Sequence, residues 1–339
     1  MGVQLRSKTE EPVAEPLVEN NKEEDMPEPP KPQKTHHKYE IYWAVAIYFF
    51  IAHVVAVICA IRYLKTVKLA TIVWAILVGY IGEFGVTAGA HRYYSHKSFK
   101  AKLPLQVILL ACYSVAGQKR VTAWASDHRL HHKFSDTDGD PHNATRGLFF
   151  SHIGWIVLRR HPEVHRLRKI IDMSDLDNDP LVQFHTKYFR VFFILLSLVI
   201  PITVPAIFWN ENWMEAICIS GFLRLVVFNH FVLCINSLAH YFGSKPYDKR
   251  IRPVQSLTVS LLTSGEGWHN YHHTFPWDYS AQEYGGNMVN GTTLLLDMFA
   301  KIGWAYDLKR PSTDLVRKVA LRHGDGSWQE VPDTEAYFN

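Results

Sequence analysis

Nine histidines fall into four short clusters. His91 and His96 bracket His-Arg-Tyr-Tyr-Ser-His. His128, His131 and His132 share His-Arg-Leu-His-His. His240 closes Asn-Ser-Leu-Ala-His, which begins at Asn236. His269, His272 and His273 share His-Asn-Tyr-His-His. Neutral imidazole is the commonest transition-metal ligand. Histidines at i, i+3 and i+4 lie on one helix face, so each triplet can aim three rings together, and the two triplets could place six rings around one point. No single ion takes nine ligands, so the count predicts two ions. An all-imidazole set with room for oxygen suits Fe, Cu or Zn; nine imidazoles without thiolate fit closed structural zinc poorly, and a redox pair of irons better. His91 and His96 are five apart, about 140° round an ideal helix, so they are expected to diverge, with His91 ending a helix and His96 just beyond it. Asn236 and His240 are four apart and share a face; an amide there can hold a metal-bound water. Of the remaining histidines, His36, His37, His161, His165, His185 and His323 read as solvated, whereas His53 and His230 sit in apolar runs and read as hydrogen-bonded core.

The elements that must position these clusters are membrane-length. Residues 41–64, 69–90, 191–209 and 214–235 are each long and apolar enough to cross a hydrocarbon core of about 30 Å. Tyr42, Trp43, Trp209 and Trp213 stand near their ends, where amphipathic rings prefer the headgroup level. Only a few residues join the first and second spans, and the third and fourth, so the expected fold is all-α: two hairpins. By parity every histidine cluster then emerges on one side of the bilayer. Lys and Arg are abundant in the loop 92–190 and after His240 and absent from the second hairpin turn, which makes the clustered side cytoplasmic. Residues 103–124 are apolar but carry Gln118, Lys119 and Arg120, and read as an interfacial or buried helix. The resulting division is a disordered cytoplasmic tail at 1–38, a membrane domain at 39–310 whose cytoplasmic helical cap comprises 91–190 and 236–310, and a C-terminal tail at 311–339. Cys59, Cys112, Cys218 and Cys234 lie in apolar runs as buried thiols. A net charge of +4 is too weak to imply nucleic acid.

Several phrases closely resemble the membrane acyl-CoA desaturases: Thr-Ala-Gly-Ala-His-Arg at 87–92, Asp-His-Arg-Leu-His-His-Lys-Phe-Ser-Asp at 127–136, Asp-Pro-His-Asn-Ala-Thr-Arg-Gly at 140–147, Ser-His-Ile-Gly-Trp at 151–155 and Gly-Glu-Gly-Trp-His-Asn-Tyr-His-His at 265–273. The likeness runs from about Tyr42 to Tyr306 and is nearest to insect members, the moth pheromone enzymes included. It implies a di-iron oxidoreductase of the endoplasmic reticulum membrane, multi-pass with both termini cytoplasmic. Such an enzyme removes two hydrogens from a fatty acyl-CoA, consuming O2 and two electrons from cytochrome b5 and its NADH-dependent reductase. The nine clustered histidines match the family's iron ligands, and Asn236 its water-holding ligand. Gln118, Trp124 and Trp155 match the bend of the acyl tunnel, and Asp127 and Arg159 the CoA entrance.

The departures bear on specificity. Tyr94 replaces a Trp and Leu233 a tunnel Trp. Ser126 replaces a CoA-contacting Arg, and Lys119 and Arg120 stand where relatives have Asn-Asp, so these two are expected to supply the missing basic group. Gly79 stands where some relatives have a Tyr closing the tunnel end, and Glu83 places a carboxylate inside a span. Positions 79, 83, 87 and 91 share a face, with Glu83 about 12 Å deeper than His91. Either Glu83 bonds a hydroxyl or an Arg of a neighbouring span, or Gly79 and Glu83 reshape the tunnel end. The double bond could then fall at Δ9 or Δ11. A hydroxylase on the same scaffold is the enzyme alternative. A metal transporter is the non-enzyme one, and it expects polar groups lining a path through the spans, where only Glu83, His53, Arg224 and His230 qualify.

Overall fold

The computed structural model describes residues 39–283 and 290–329; the expected tail at 1–38, with His36 and His37, lies outside them. Four helices are long and apolar enough to cross a membrane: Trp43–Tyr63, Leu69–Ser95, Phe189–Phe208 and Trp213–His240. The second and fourth run on to 95 and 240 rather than stopping at 90 and 235, and so carry His91 and His240 directly. Ile47, Phe50, Ile51 and Ile61 of the first span are exposed, a continuous apolar surface that suits lipid rather than water.

The two hairpin turns are bolted to each other. Lys68 N and Thr71 Oγ1 both donate to Glu211 Oε2, at 3.0 and 2.5 Å. Lys68 Nζ donates to the carbonyls of Trp209 and Asn210, at 2.7 and 2.6 Å. A second brace comes from Pro201 in the third span. Proline lacks an N–H, so the carbonyl four residues earlier, Ser197 O, has no helical donor from it. Arg224 of the fourth span donates to that carbonyl instead. The helix loosens to i→i+5 bonding over Phe193–Val199, just before this proline.

The apolar helix Leu103–Val115 is buried along one side, with Leu105 and Leu109 fully enclosed; it is not a fifth span. Glycines let it approach the second span. A Cβ on Gly85 would lie 2.0 Å from Tyr113 N, and one on Gly82 2.8 Å from Ala116 N. Among the described residues the only strands are the pair Lys100–Ala101 and Ala305–Tyr306, so the class is all-α. Further along, the helix Thr313–His323 sets Val316 and Ala320 against Tyr247, Tyr271 and Phe275.

Two histidines expected in solvent are buried. His161 accepts from Glu163 N as the N-cap of Pro162–Arg168, and His185 pairs with Ser114 Oγ at 2.9 Å. Polar flanking sequence misleads here because each ring is spent on a structural hydrogen bond. His53 and His230 are hydrogen-bonded as expected, Nε2 to Nε2 at 2.8 Å.

Candidate metal centre

The second span changes register before it ends. Gly85–Ser95 is bonded i→i+5, and His96 N continues the pattern by donating to His91 O at 3.1 Å. In that register residues five apart stack on one face. His91 and His96 therefore converge, with ring centroids 4.9 Å apart, instead of diverging as an ideal helix requires. The triplets ride on two short helices, Val121–Phe134 and His269–Thr274. His240 ends a 3-10 turn, Leu238–His240, after the fourth span.

The rings sort into two groups. His91, His96, His128, His132 and His272 bring one nitrogen each within 4.8 Å of one another, and so do His131, His240, His269 and His273. The triplets do not surround a single point. Each sends its i, i+4 pair to one group and its middle histidine to the other: His128 and His132 against His131, His269 and His273 against His272.

The atoms fit cations. His272 Nε2 lies 2.9 Å from His91 Nε2 and 3.0 Å from His132 Nε2. His96 Nε2 lies 2.8 Å from His128 Nε2. In the second group His273 Nε2 lies 3.2 and 3.1 Å from His131 and His269 Nε2. A neutral imidazole has one N–H to give, so nitrogens converging in this number leave lone pairs facing a common point. Among the described residues His240 Nε2 is buried with no hydrogen-bond partner. Burial holds His96, His128, His132, His269, His272 and His273 far below the ordinary imidazole value, hence neutral and ready to ligate.

The far nitrogens are held by carboxylates, a common device for fixing tautomer and ring orientation. His91 Nδ1 meets Glu266 Oε2 at 2.8 Å, and Glu266 is bound from its other side by Arg92 at 2.7 Å. Burial alone would raise the Glu266 carboxyl, but Arg92 and His91 hold it down at about 2. His131 Nδ1 meets Asp140 Oδ2 at 2.9 Å, and Asp140 outweighs burial to raise that imidazole. His142 Nδ1 lies 3.7 Å from Asp140 Oδ1, and His131, Asp140 and His142 form a third set of close ligand-type atoms. Asp136 Oδ2 stands 3.5 Å from His240 Nδ1. Sequence reasoning missed Asp136, Asp140, His142 and Glu266. Their signal was position alone: three carboxylates and one further histidine within about ten residues of a histidine cluster.

Both groups open into one cavity of about 840 Å3, lined by His91, His128, His131, His269 and Asn236 at its inner wall. Gln118, Trp124 and Trp155 line it too, as do Lys119, Asp127 and Arg159. Gly79 and Glu83 line a small adjoining void. Arg120 lies outside, exposed at the N-cap of Val121–Phe134. Asp127 is buried and binds three cations, Lys119, Arg160 and Arg168, which hold its carboxyl well below the usual range despite burial. Arg159 is exposed and pairs with Glu40 at 3.2 Å. Arg160 and Arg168 were missed because their segment reads as ordinary surface charge.

The fatty acid desaturase family's sequence profile matches residues 66–283. The chain is 45% identical over 305 residues to an acyl-CoA Delta-9 desaturase of Acheta domesticus, covering 90% of this chain and 85% of that protein. It is 45% identical over 296 residues to an acyl-CoA Delta(11) desaturase of Spodoptera littoralis, covering 87% of each. It is 41% identical over 292 residues to the stearoyl-CoA desaturase of Homo sapiens, covering 86% and 81%.

Proposed function

The chain belongs to the fatty acid desaturase family, and on that premise we propose that it is an O2-dependent desaturase of long-chain fatty acyl-CoA built on two iron ions. The observation that carries this reading is the pair of histidine groups opening into a single cavity with a cationic rim. In balance, a CH2–CH2 unit, O2, two electrons and two protons give a CH=CH unit and two waters. The irons, when bound, supply the oxidising power; the protein supplies ligands, placement and exclusion of water. The proposed ligands are the five-histidine group for one ion and the four-histidine group, with Asn236 holding a water beside it, for the other. Lys119, Arg159 and Arg160 at the rim offer charge-assisted hydrogen bonds to the CoA phosphates. Arg120 is exposed outside the cavity and is proposed only as a contact for the part of CoA that stays in water. Asp127 positions Lys119 and Arg160 rather than touching CoA, since its oxygens are taken.

The apolar wall, with Trp124, Trp155 and Gln118, orients the chain so that one pair of methylenes faces both groups. Regiochemistry is then a matter of placement. The relatives that act at Δ9 and at Δ11 are equally similar, so the walls of the cavity, not overall likeness, set the bond position. The site faces the cytoplasm of an endoplasmic reticulum membrane, both termini on that side, where cytochrome b5 delivers electrons.

Expression in a desaturase-deficient yeast tests the reading. A new double bond in cellular acyl chains, located by mass spectrometry, is expected. Its loss is expected when His132 or His273 is changed to Ala with the protein still in the membrane. Hydroxylated products in place of unsaturated ones, or full activity in both variants, would overturn it.

A further inference from the structure

Glu83 is 2% exposed, inside the span Leu69–Ser95. Neither of its carboxyl oxygens has a hydrogen-bond partner among the described residues. The one arginine at hand is committed elsewhere: Arg224, which lines the same void, gives its guanidinium to the carbonyls of Ser220, Val115 and Ser197. The next hydroxyl on the same face, Thr87 Oγ1, pairs with Thr292 Oγ1 at 2.8 Å. A polar group buried without a partner is a standing cost to the fold, larger if the group is charged. The fold has not removed this cost, although hydrogen-bonding side chains stand close by.

The void beside Glu83 is about 10 Å3, lined by Gln118 and Asn229 together with Gly79, Val86, Phe228 and Val232. That volume admits one water-sized group. It shares Val86, Gln118, Leu225, Asn229 and Val232 with the 840 Å3 cavity, so the two adjoin along these residues. Phe228 closes the opposite side. Its ring occupies the space a side chain at position 79 would need, 2.1 Å from where a Cβ on Gly79 would stand.

We propose that this void is a single-oxygen subsite at the deep end of the acyl cavity, and that it takes a hydroxyl carried on the distal part of the acyl chain. The inference rests on the desaturase reading and adds a substrate class to it. The Glu83 carboxyl hydrogen-bonds the hydroxyl, with the amides of Gln118 and Asn229 beside it. With an unsubstituted chain bound, one water holds the same position. Because the void fits one oxygen and no more, the hydroxyl has to fall at a particular carbon.

The test uses the iron-loaded enzyme with its electron donor and a set of acyl-CoAs of one chain length, the hydroxyl walked carbon by carbon along the methyl-terminal half. The readout is kcat/KM for each, divided by kcat/KM for the unsubstituted chain. The expected result is a peak at one position, about tenfold above its neighbours, the scale of one added hydrogen bond. Glu83→Leu flattens the peak, while Glu83→Gln, which still hydrogen-bonds, keeps part of it. A ratio that is flat or falls at every position in the wild-type enzyme overturns the proposal, whatever the variants do, and leaves water as the void's occupant. No turnover of the unsubstituted chain overturns the desaturase reading itself, which separates the two failures.

Discussion

At the scale of single residues, the parts of the centre that sequence revealed are those whose chemistry is rare. Histidine triplets advertise themselves; the carboxylates behind them look like any surface acid. Asp140 is the clearest case, since it fixes the tautomer of His131 and also faces His142. Asp140→Asn is expected to lower iron content or turnover about 10–100-fold with His131 still present, the usual cost of losing a partner behind a ligand. Wild-type iron content and turnover together would show that Asp140 only shapes its loop. His185 makes a different point. Burial beside Ser114 lowers its imidazole from 6.5 to about 4. As pH falls through 6.5 the unfolded chain takes up a proton that the folded chain refuses, so this residue's contribution is intact above 6.5 and drains away toward about 4. Thermal unfolding in detergent is expected to lose less stability across that acid range in His185→Gln than in the wild type.

At the scale of elements, the four spans were readable because hydropathy over twenty residues is a strong signal, and the buried helix Leu103–Val115 because its polar end denies it a membrane crossing. The register of Gly85–Ser95 was not readable. A 3.6-residue period sets His91 and His96 apart, and nothing in their side chains announces an i→i+5 ladder. The nearby glycines do mark where a neighbouring backbone comes close. Gly85→Ala would drive a methyl group against the Cys112–Tyr113 peptide. Because backbone cannot swing away as a side chain can, the helix Leu103–Val115 must move. The expected outcome is a loss of at least about 1–3 kcal/mol, seen as a lower unfolding temperature, with reduced iron retention because His91 follows on the same ladder. Gly89→Ala, whose Cβ would stand 3.4 Å from Leu109, is expected to be much milder. Equal effects of the two would refute the close-approach argument.

At the scale of the whole molecule, charge is arranged around one opening. Lys119 and Arg160 line the cavity and, together with Arg168, gather on Asp127. Lys119→Glu and Arg160→Glu are each expected to raise KM for acyl-CoA more than they lower kcat, with the wild-type KM itself rising with salt; unchanged KM in both would place the CoA phosphates elsewhere. The order of the ligands along the chain has a consequence for biosynthesis. One group needs His91 and His272, the other His131 and His273, so each is strung between an early part of the chain and the last cluster. Neither group is complete until His272 and His273 have left the ribosome and folded back onto the earlier spans. On the di-iron reading proposed above, an ion meets its full set of ligands only after the last cluster has been made. A premature stop before His269 takes His272 from the group of five and His269 with His273 from the group of four, so both groups lose members in a single event.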